Sequence, residues 1–327
     1  MKRIIFSIFL ASFALLTFAQ TLTFNKNGKF KIVQFTDVHY IADDPRADIA
    51  LERIAEVVDA EHPDLVVFTG DVIFGQPAGK SMQTVLDVVS KRKYPFAVIF
   101  GNHDYEYDMT REQLYDLIIK KTPYNLTSTT KGITGVSNYI LPIYSSTDKK
   151  ISEILYFFDS HADSRIKGVE GYDYLAFDQI NWYREQSKKY TNANNGVPVN
   201  ALAFIHIPLP EYNMASSSEE TQIYGIRREK ACSSNLNSGL FASIKEMGDI
   251  RAMFAGHDHN NDYAACWYDV LLAYGRYTGG NTVYNDLPNG ARIIELTEGS
   301  KKIKSYIRTA NNHIEQEIIF PDSFIKK

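Results

Sequence analysis

The sequence predicts a single α/β domain, and three observations carry that expectation. Five short apolar runs read as buried strands, and each is followed at once by residues able to ligate metal. Segments with helical spacing alternate with the first three runs. The run ends are dispersed from Asp37 to His259, so a site that uses all of them needs one folded unit.

The N-terminal segment comes first in order. Lys2 and Arg3 precede an apolar stretch from Ile4 to Phe18, and Thr17-Phe18-Ala19 before Gln20 resembles a small-residue cleavage site. The stretch is short for a spanning helix, which needs about 20 apolar residues. Residues 1–19 therefore read as a signal peptide, with the folded domain over 20–327 and an exported, periplasmic or secreted destination. Cleavage would remove two basic residues and no acids, taking the net charge from −4 to −6. A mildly acidic chain without a Lys/Arg run offers no nucleic-acid footprint, and no segment after the leader suggests a lasting membrane partner. For an exported chain a Cys232–Cys266 disulfide is the favoured reading. Two buried thiols are the alternative, because spacing does not test bridge geometry.

The five strands read KIVQFT before Asp37 and His39, LVVFTG before Asp71, FAVIFG before Asn102-His103-Asp104, LAFI before His206, and AMFAG before His257-Asp258-His259. Their Val, Ile and Phe content between turn residues marks buried strands. The carboxyl ends of such strands are where open α/β sheets gather ligand-binding groups. Carboxylates and an amide mixed with imidazoles suit Mn, Fe or Zn better than a thiolate set would. After the first motif, Ala50, Ile54, Val57 and Val58 fall on one helical face that ends at His62-Pro63. Met82, Val85, Leu86 and Val89 repeat the spacing after Asp71, and Leu114, Leu117 and Ile118 mark a third helix. This alternation predicts a largely parallel sheet with helices outside.

The middle is less regular. Strands are expected at 138–144 and 154–158, a helix from near Asp178, and a surface loop over 211–234 that could border the site. Leu240, Ile244 and Met247 mark a short helix closed by Gly248. The C-terminal part reads as strands at 270–274, 291–296, 303–309 and 313–320.

Taken together, DxH (Asp37, His39), GD (Gly70, Asp71), GNHD (Gly101–Asp104), His206 after a strand, and GHDH (Gly256–His259) resemble the signature of calcineurin-like metallophosphoesterases. The likeness runs from about Lys31 to Tyr263, and HIPLPE (His206–Glu211) with GHDHNND (Gly256–Asp262) points to the purple-acid-phosphatase-related branch. The resemblance implies a layered α/β/β/α sandwich and two metal ions drawn from Fe, Mn or Zn. Asp37, His39, Asp71 and His259 would hold one ion. Asp71, Asn102, His206 and His257 would hold the other, with Asp71 bridging. It further implies a phosphoesterase acting on small or exposed phosphate esters, monoesters ahead of diesters, by attack of a metal-bridging hydroxide. A non-catalytic metal-dependent binding protein is the reading from another class. Asn102 and His103 would contact phosphate, with His103 the general acid, and Asp104 would hold its ring. The purple enzymes' ligand tyrosine falls at Phe74 here, so no phenolate reaches the metals and a divalent pair is favoured.

Three weaker readings complete the set. Arg276, after the strand at 270–274, could clamp phosphate or be an ordinary surface arginine. His161 could reach the rim of the site, and Tyr105 and Tyr107 could wall its pocket.

Overall fold

The structure is a computed structural model that describes residues 21–325; the leader expected at 1–19 lies outside the described residues. The chain runs β1 (Leu22–Thr23), β2 (Lys29–Phe35), α1 (Asp48–Glu61), β3 (Leu65–Thr69), α2 (Ala78–Ser90), β4 (Phe96–Ile99) and α3 (Arg111–Lys121). Next come β5 (Tyr139–Tyr144), β6 (Ile151–Phe157), α4 (Phe177–Ala193), β7 (Ala201–Phe204), α5 (Glu211–Ser217), β8 (Ile223–Tyr224), α6 (Leu240–Met247) and β9 (Ile250–Ala255). It closes with β10 (Ala264–Trp267), β11 (Val270–Tyr274), β12 (Gly290–Thr297), β13 (Ile303–Thr309) and β14 (Ile314–Phe320). Among the described residues no helix is long and apolar enough to cross a membrane.

The strands form two sheets face to face, not one. The first has the order β14-β13-β12-β2-β3-β4 and the second β1-β5-β6-β7-β9-β11-β10-β8. Nor is the strand arrangement largely parallel. Parallel pairing is confined to β2–β3–β4, β6–β7–β9–β11 and β1–β5, while β5 with β6 and the β8, β10 and β12–β14 pairings are antiparallel. Helices α1–α3 cover the outer face of the first sheet and α4–α6 that of the second, which gives the α/β/β/α sandwich implied by the family resemblance.

The apolar runs explain the layering. Successive side chains of a strand point to opposite faces. Ile32, Leu65, Val67, Ala97 and Ile99 therefore enter the layer between the sheets, while Val33, Val66, Phe68 and Val98 face α1–α3. A strand covered on both faces must be apolar throughout. From the second sheet Phe157, Phe204 and Phe254 stack across neighbouring strands at 5.2 and 5.6 Å between ring centroids.

Helix ends follow local chemistry. In α3 the Thr110 hydroxyl accepts from the Gln113 amide and the Gln113 side chain returns to the Thr110 amide, a capping box. Gly248 closes α6 at φ 72°, its amide donating to Ile244 O. His62 does the same for α1 at φ 47°.

Two expectations are corrected. The 211–234 segment opens with α5, whose Tyr212 is fully buried, and continues into β8 paired with β10. The cysteines are unpaired. The Cys232 amide is fixed on the Asp258 carboxylate at 3.1 and 3.2 Å, whereas Cys266 packs from β10 against the layer between the sheets. Burial, followed by the nearby Asp258 carboxylate, pushes the Cys232 thiol up to about 11, so it stays protonated at neutral pH.

One charged cluster ties α1 to the first sheet. Glu61, 1% exposed in its side chain, accepts from Lys31 at 2.7 Å, from the Tyr306 hydroxyl at 2.8 Å and from Arg308. Burial alone would raise this carboxyl, but Lys31, Arg308 and Tyr306 outweigh it and hold it below the ordinary glutamate range. Replacing it strands a half-buried arginine, so Glu61→Gln is expected to destabilise the protein by about 3 kcal/mol at pH 7 in urea denaturation. A depressed folded pKa stabilises above the unfolded value of about 4.3 and is lost as pH falls through the folded value. The gap between wild-type and E61Q midpoints should therefore narrow below about pH 4, and a gap that stays constant down to pH 3 would contradict this account.

Candidate metal centre

The five strand ends converge where the two sheets meet. β2, β3 and β4 of the first sheet deliver Asp37, His39, Asp71 and Asn102; β7 and β9 of the second deliver His206, His257 and His259. All seven are at least nine-tenths buried. Asp37, His39, Asp71 and His257 turn through the left-handed region at φ 52°, 46°, 49° and 81°. Such a backbone costs on the order of 1–3 kcal/mol per residue unless its surroundings enforce it. Here they do: the Asp37 amide donates to Gly70 O at 3.1 Å, the His39 amide to Asp71 O at 3.0 Å, and the His257 amide to the Asp37 carboxylate at 2.9 and 3.1 Å. Close approach explains two motif glycines. A Cβ at Gly101 would strike the Asp71 carboxylate and amide, and one at Gly256 would strike the Thr36 hydroxyl.

Outer hydrogen bonds set which nitrogens face inward. His206 Nδ1 lies 2.7 Å from Thr69 O and His259 Nδ1 2.9 Å from Tyr284 O. A carbonyl only accepts, so both Nδ1 atoms carry hydrogen and present Nε2 to the centre. His39 Nε2 lies 3.0 Å from His259 Nε2, and His206 Nε2 lies 3.1 Å from both Asn102 Oδ1 and Asp71 Oδ2. Asp71 Oδ1 accepts from the His103 amide at 2.8 Å, while the buried Oδ2 faces His206 Nε2 at 3.1 Å and His39 Nε2 at 3.7 Å.

This arrangement fits a pair of cations. Two triads, Asp37/His39/His259 and Asp71/His206/His257, each gather their donor atoms within 4.8 Å. The Asp71 Oδ2 atom stands between ligands of both, as a bridging carboxylate must. Burial, together with the facing His259, keeps His39 well below the usual imidazole value, and burial with His206 does the same for His257. His206 is lifted to about 9 because the Asp71 carboxylate outweighs its burial. The donors are nitrogen and oxygen throughout. The Phe74 ring lies 5.1 Å from those of His39 and His103 and offers no ligand atom.

Two sequence expectations change here. Asp104 does not hold the His103 ring: it is fully buried, and its carboxylate accepts from the Val72, Ile73 and Gly101 amides at 2.8, 3.1 and 2.8 Å. It fixes the Asp71 loop against the Asn102 loop. The ring partner is Glu106, whose Oε2 lies 2.7 Å from His103 Nδ1. Arg276 does not reach the site surface. It is fully buried and spends its guanidinium on Asp262, Glu315 and Pro288 O. An isolated buried guanidinium is too costly to leave free for a ligand.

The remaining residues divide. The His103 side chain is about a third exposed beside the ligands, its ring 5.4 Å from that of His39. His161 turns its ring onto Gln179 at 2.7 Å and lines a neighbouring cleft. Tyr105 is exposed at that cleft, while Tyr107 packs on Phe74 at 6.2 Å. Sequence reasoning missed Glu106, Tyr172, whose ring meets His257 edge-on at 4.4 Å, and Tyr284, which stacks on His259 at 4.5 Å. Only Glu106, three residues beyond His103, sits at a spacing that could have signalled its role.

The chain belongs to the calcineurin-like phosphoesterase family, whose profile (Metallophos) matches residues 30–261. It is 34% identical to "Probable inactive purple acid phosphatase 29" of Arabidopsis thaliana, across 78% of this chain and 73% of that protein. It is also 34% identical to "Phosphatase DCR2" of Saccharomyces cerevisiae, across 89% of this chain and 56% of that longer protein. In fold it is similar to a dimetal phosphatase from Danio rerio, with a TM-score of 0.62 at 11% identity over 89% of this chain and 98% of that one.

The position of Asp71 between the two triads yields a direct test. Asp71→Asn keeps the shape but removes the charge shared by both triads. Elemental analysis after manganese loading and desalting should give well under one metal per chain, against about two for the wild type. Full retention of both metals would refute the bridging role.

Proposed function

We propose that this chain hydrolyses phosphate esters, monoesters in preference to diesters, with a pair of divalent cations drawn from Mn, Zn and Fe. The observation that carries this reading is the pair of buried triads, Asp37/His39/His259 and Asp71/His206/His257, with Asp71 Oδ2 facing His206 of one and His39 of the other, beside the partly exposed His103 imidazole. When bound, two cations in these triads would supply positive charge against the phosphoryl oxygens and make a water acidic enough to ionise near neutral pH. The rest falls to the chain's own residues. Asn102 and His103 face the phosphate, and Glu106 occupies His103 Nδ1 so that Nε2 is the atom free to act. The water oxygen forms the new bond to phosphorus as the ester P–O bond breaks. His103 gives its proton to the departing alkoxide, and the proton lost by the water leaves to solvent. Phe74 in place of a phenolate favours a divalent pair over a ferric one. We also propose export, on the strength of the Lys2/Arg3-led apolar leader alone.

Three Arabidopsis thaliana relatives are labelled "probable inactive", whereas the Saccharomyces cerevisiae relative is labelled "phosphatase". That division makes a non-catalytic binding role the second reading. The chain from Gln20, stripped and reloaded with Mn, Zn or Fe, separates them through hydrolysis of a chromogenic monoester and its diester. Metal-dependent turnover with the monoester faster is expected; two bound metals with no turnover of either ester would support the binding role. His103→Ala should keep its metals yet lose roughly 10²–10⁴-fold in kcat on alkyl phosphates, and less on aryl phosphates whose leaving groups need no proton. Equal losses on both classes would remove His103 as the acid.

A further inference from the structure

Three tyrosines lay their rings against imidazoles of the metal centre. Tyr277 and Tyr284 lie 5.0 and 4.5 Å from His259, and Tyr172 meets His257 edge-on at 4.4 Å. The first two hydroxyls have partners: Tyr277 donates to Gly280 O at 2.8 Å, and Tyr284 lies 3.4 Å from the Glu229 carboxylate. The partly exposed Tyr172 has no hydrogen-bond partner for its hydroxyl among the described residues. Burial, followed by the nearby Cys232, Asp71 and Asp258, pushes that hydroxyl up to about 12. It therefore keeps its proton at neutral pH and lies within the field of the carboxylate that stands between the triads.

The ring is held in place by its loop. Between β6 and α4, Asp163 bridges Tyr172 in antiparallel fashion, the Ser164 amide donates to Gly171 O at 2.8 Å, and the Asp173 amide donates to Ala162 O at 2.7 Å. Arg165 pairs with the buried Asp173 at 2.6 Å, and the Asn235 side chain donates to Glu170 O at 2.8 Å. Tyr172 is thus a fixed donor beside His257 of the second triad, as His103 stands 5.4 Å from His39 of the first. A phosphoryl group spanning both triads meets one side-chain donor at each flank.

We propose that Tyr172 binds substrate through a hydrogen bond from its hydroxyl to a terminal phosphoryl oxygen, and that this contact selects monoesters over diesters. The inference rests on the phosphoesterase reading above. A monoester dianion has three terminal oxygens, one more than two cations take singly, and the third needs a hydrogen-bond donor. A diester presents an ester oxygen there, a poorer acceptor with a substituent that meets the Tyr172 ring.

Tyr172→Phe keeps the ring against His257 and removes only the hydroxyl. Phenyl phosphate and methyl phenyl phosphate release the same phenol, so comparing them on the manganese-loaded protein from Gln20 isolates the phosphoryl contact. The variant should keep its metal content, lose about 10- to 100-fold in kcat/KM on the monoester, and change by less than about threefold on the diester. Calorimetric titration with inorganic phosphate should show binding about tenfold weaker than in wild type. An unchanged ester ratio or an unchanged phosphate affinity would overturn the proposal. Loss of metal would assign Tyr172 to the support of His257 and overturn it as well. Weaker phosphate binding in the variant, with no ester hydrolysed by wild type under Mn, Zn or Fe, would overturn the phosphoesterase reading and keep Tyr172 as a phosphate contact. Neither hydrolysis nor phosphate binding by wild type would overturn both.

Discussion

The structure depends on hydrogen bonds that cross from one sheet to the other beneath the metal ligands. Thr69 O of β3 takes the His206 ring, the Asp37 carboxylate takes the His257 amide, and the Gln34 side chain of β2 reaches Ala255 O of β9 at 3.0 Å. Each bond joins a strand of the first sheet, or the turn just after it, to a strand of the second or its following turn, among buried residues. An unmatched buried polar group is costly, so the sheets must meet in the register that satisfies all of them. The same contacts fix the ligand nitrogens and force the left-handed turns at Asp37, Asp71 and His257. Fold and site are one packing problem here. The concentrated strain and the buried Asp71 carboxylate mark the place where local comfort is given up for function.

The sequence made the strands and their ends legible because each apolar run is short, covered on both faces and followed by polar residues that have no reason to be buried except chemistry. Helix α1 was readable from four apolar positions and a proline, and α6 from a glycine at its close. What the sequence concealed was which strand lies beside which. β2 and β7 look alike as strings, yet they belong to different sheets, and nothing in either run encodes its neighbours. Helix α5 was concealed for another reason. Its residues are polar enough to read as a loop, and only Tyr212 and Ala215 meet the core.

Within the site, legibility followed the same line. The seven ligand positions stood out through motif order, but the residues acting on them did not. Asp104 and Glu106 are both carboxylates near His103, and spacing does not say that the first faces three amides while the second faces the ring. Arg276 followed a strand end as the ligands do, and burial gave it another task. Pattern locates chemistry-bearing residue types; direction and depth assign the work.

That arginine has a longer reach than its burial suggests. Asp262, three positions past His259, holds Arg276 and Gln316 on one carboxylate oxygen and the Ile226 amide on the other. Arg276 in turn grips Glu315 of β14. The last strand of the chain is thereby fastened to the segment that carries His257 and His259, although none of its residues is a ligand. Shortening the protein from its C-terminal end would unfasten the metal centre long before it reached any residue that chemistry uses.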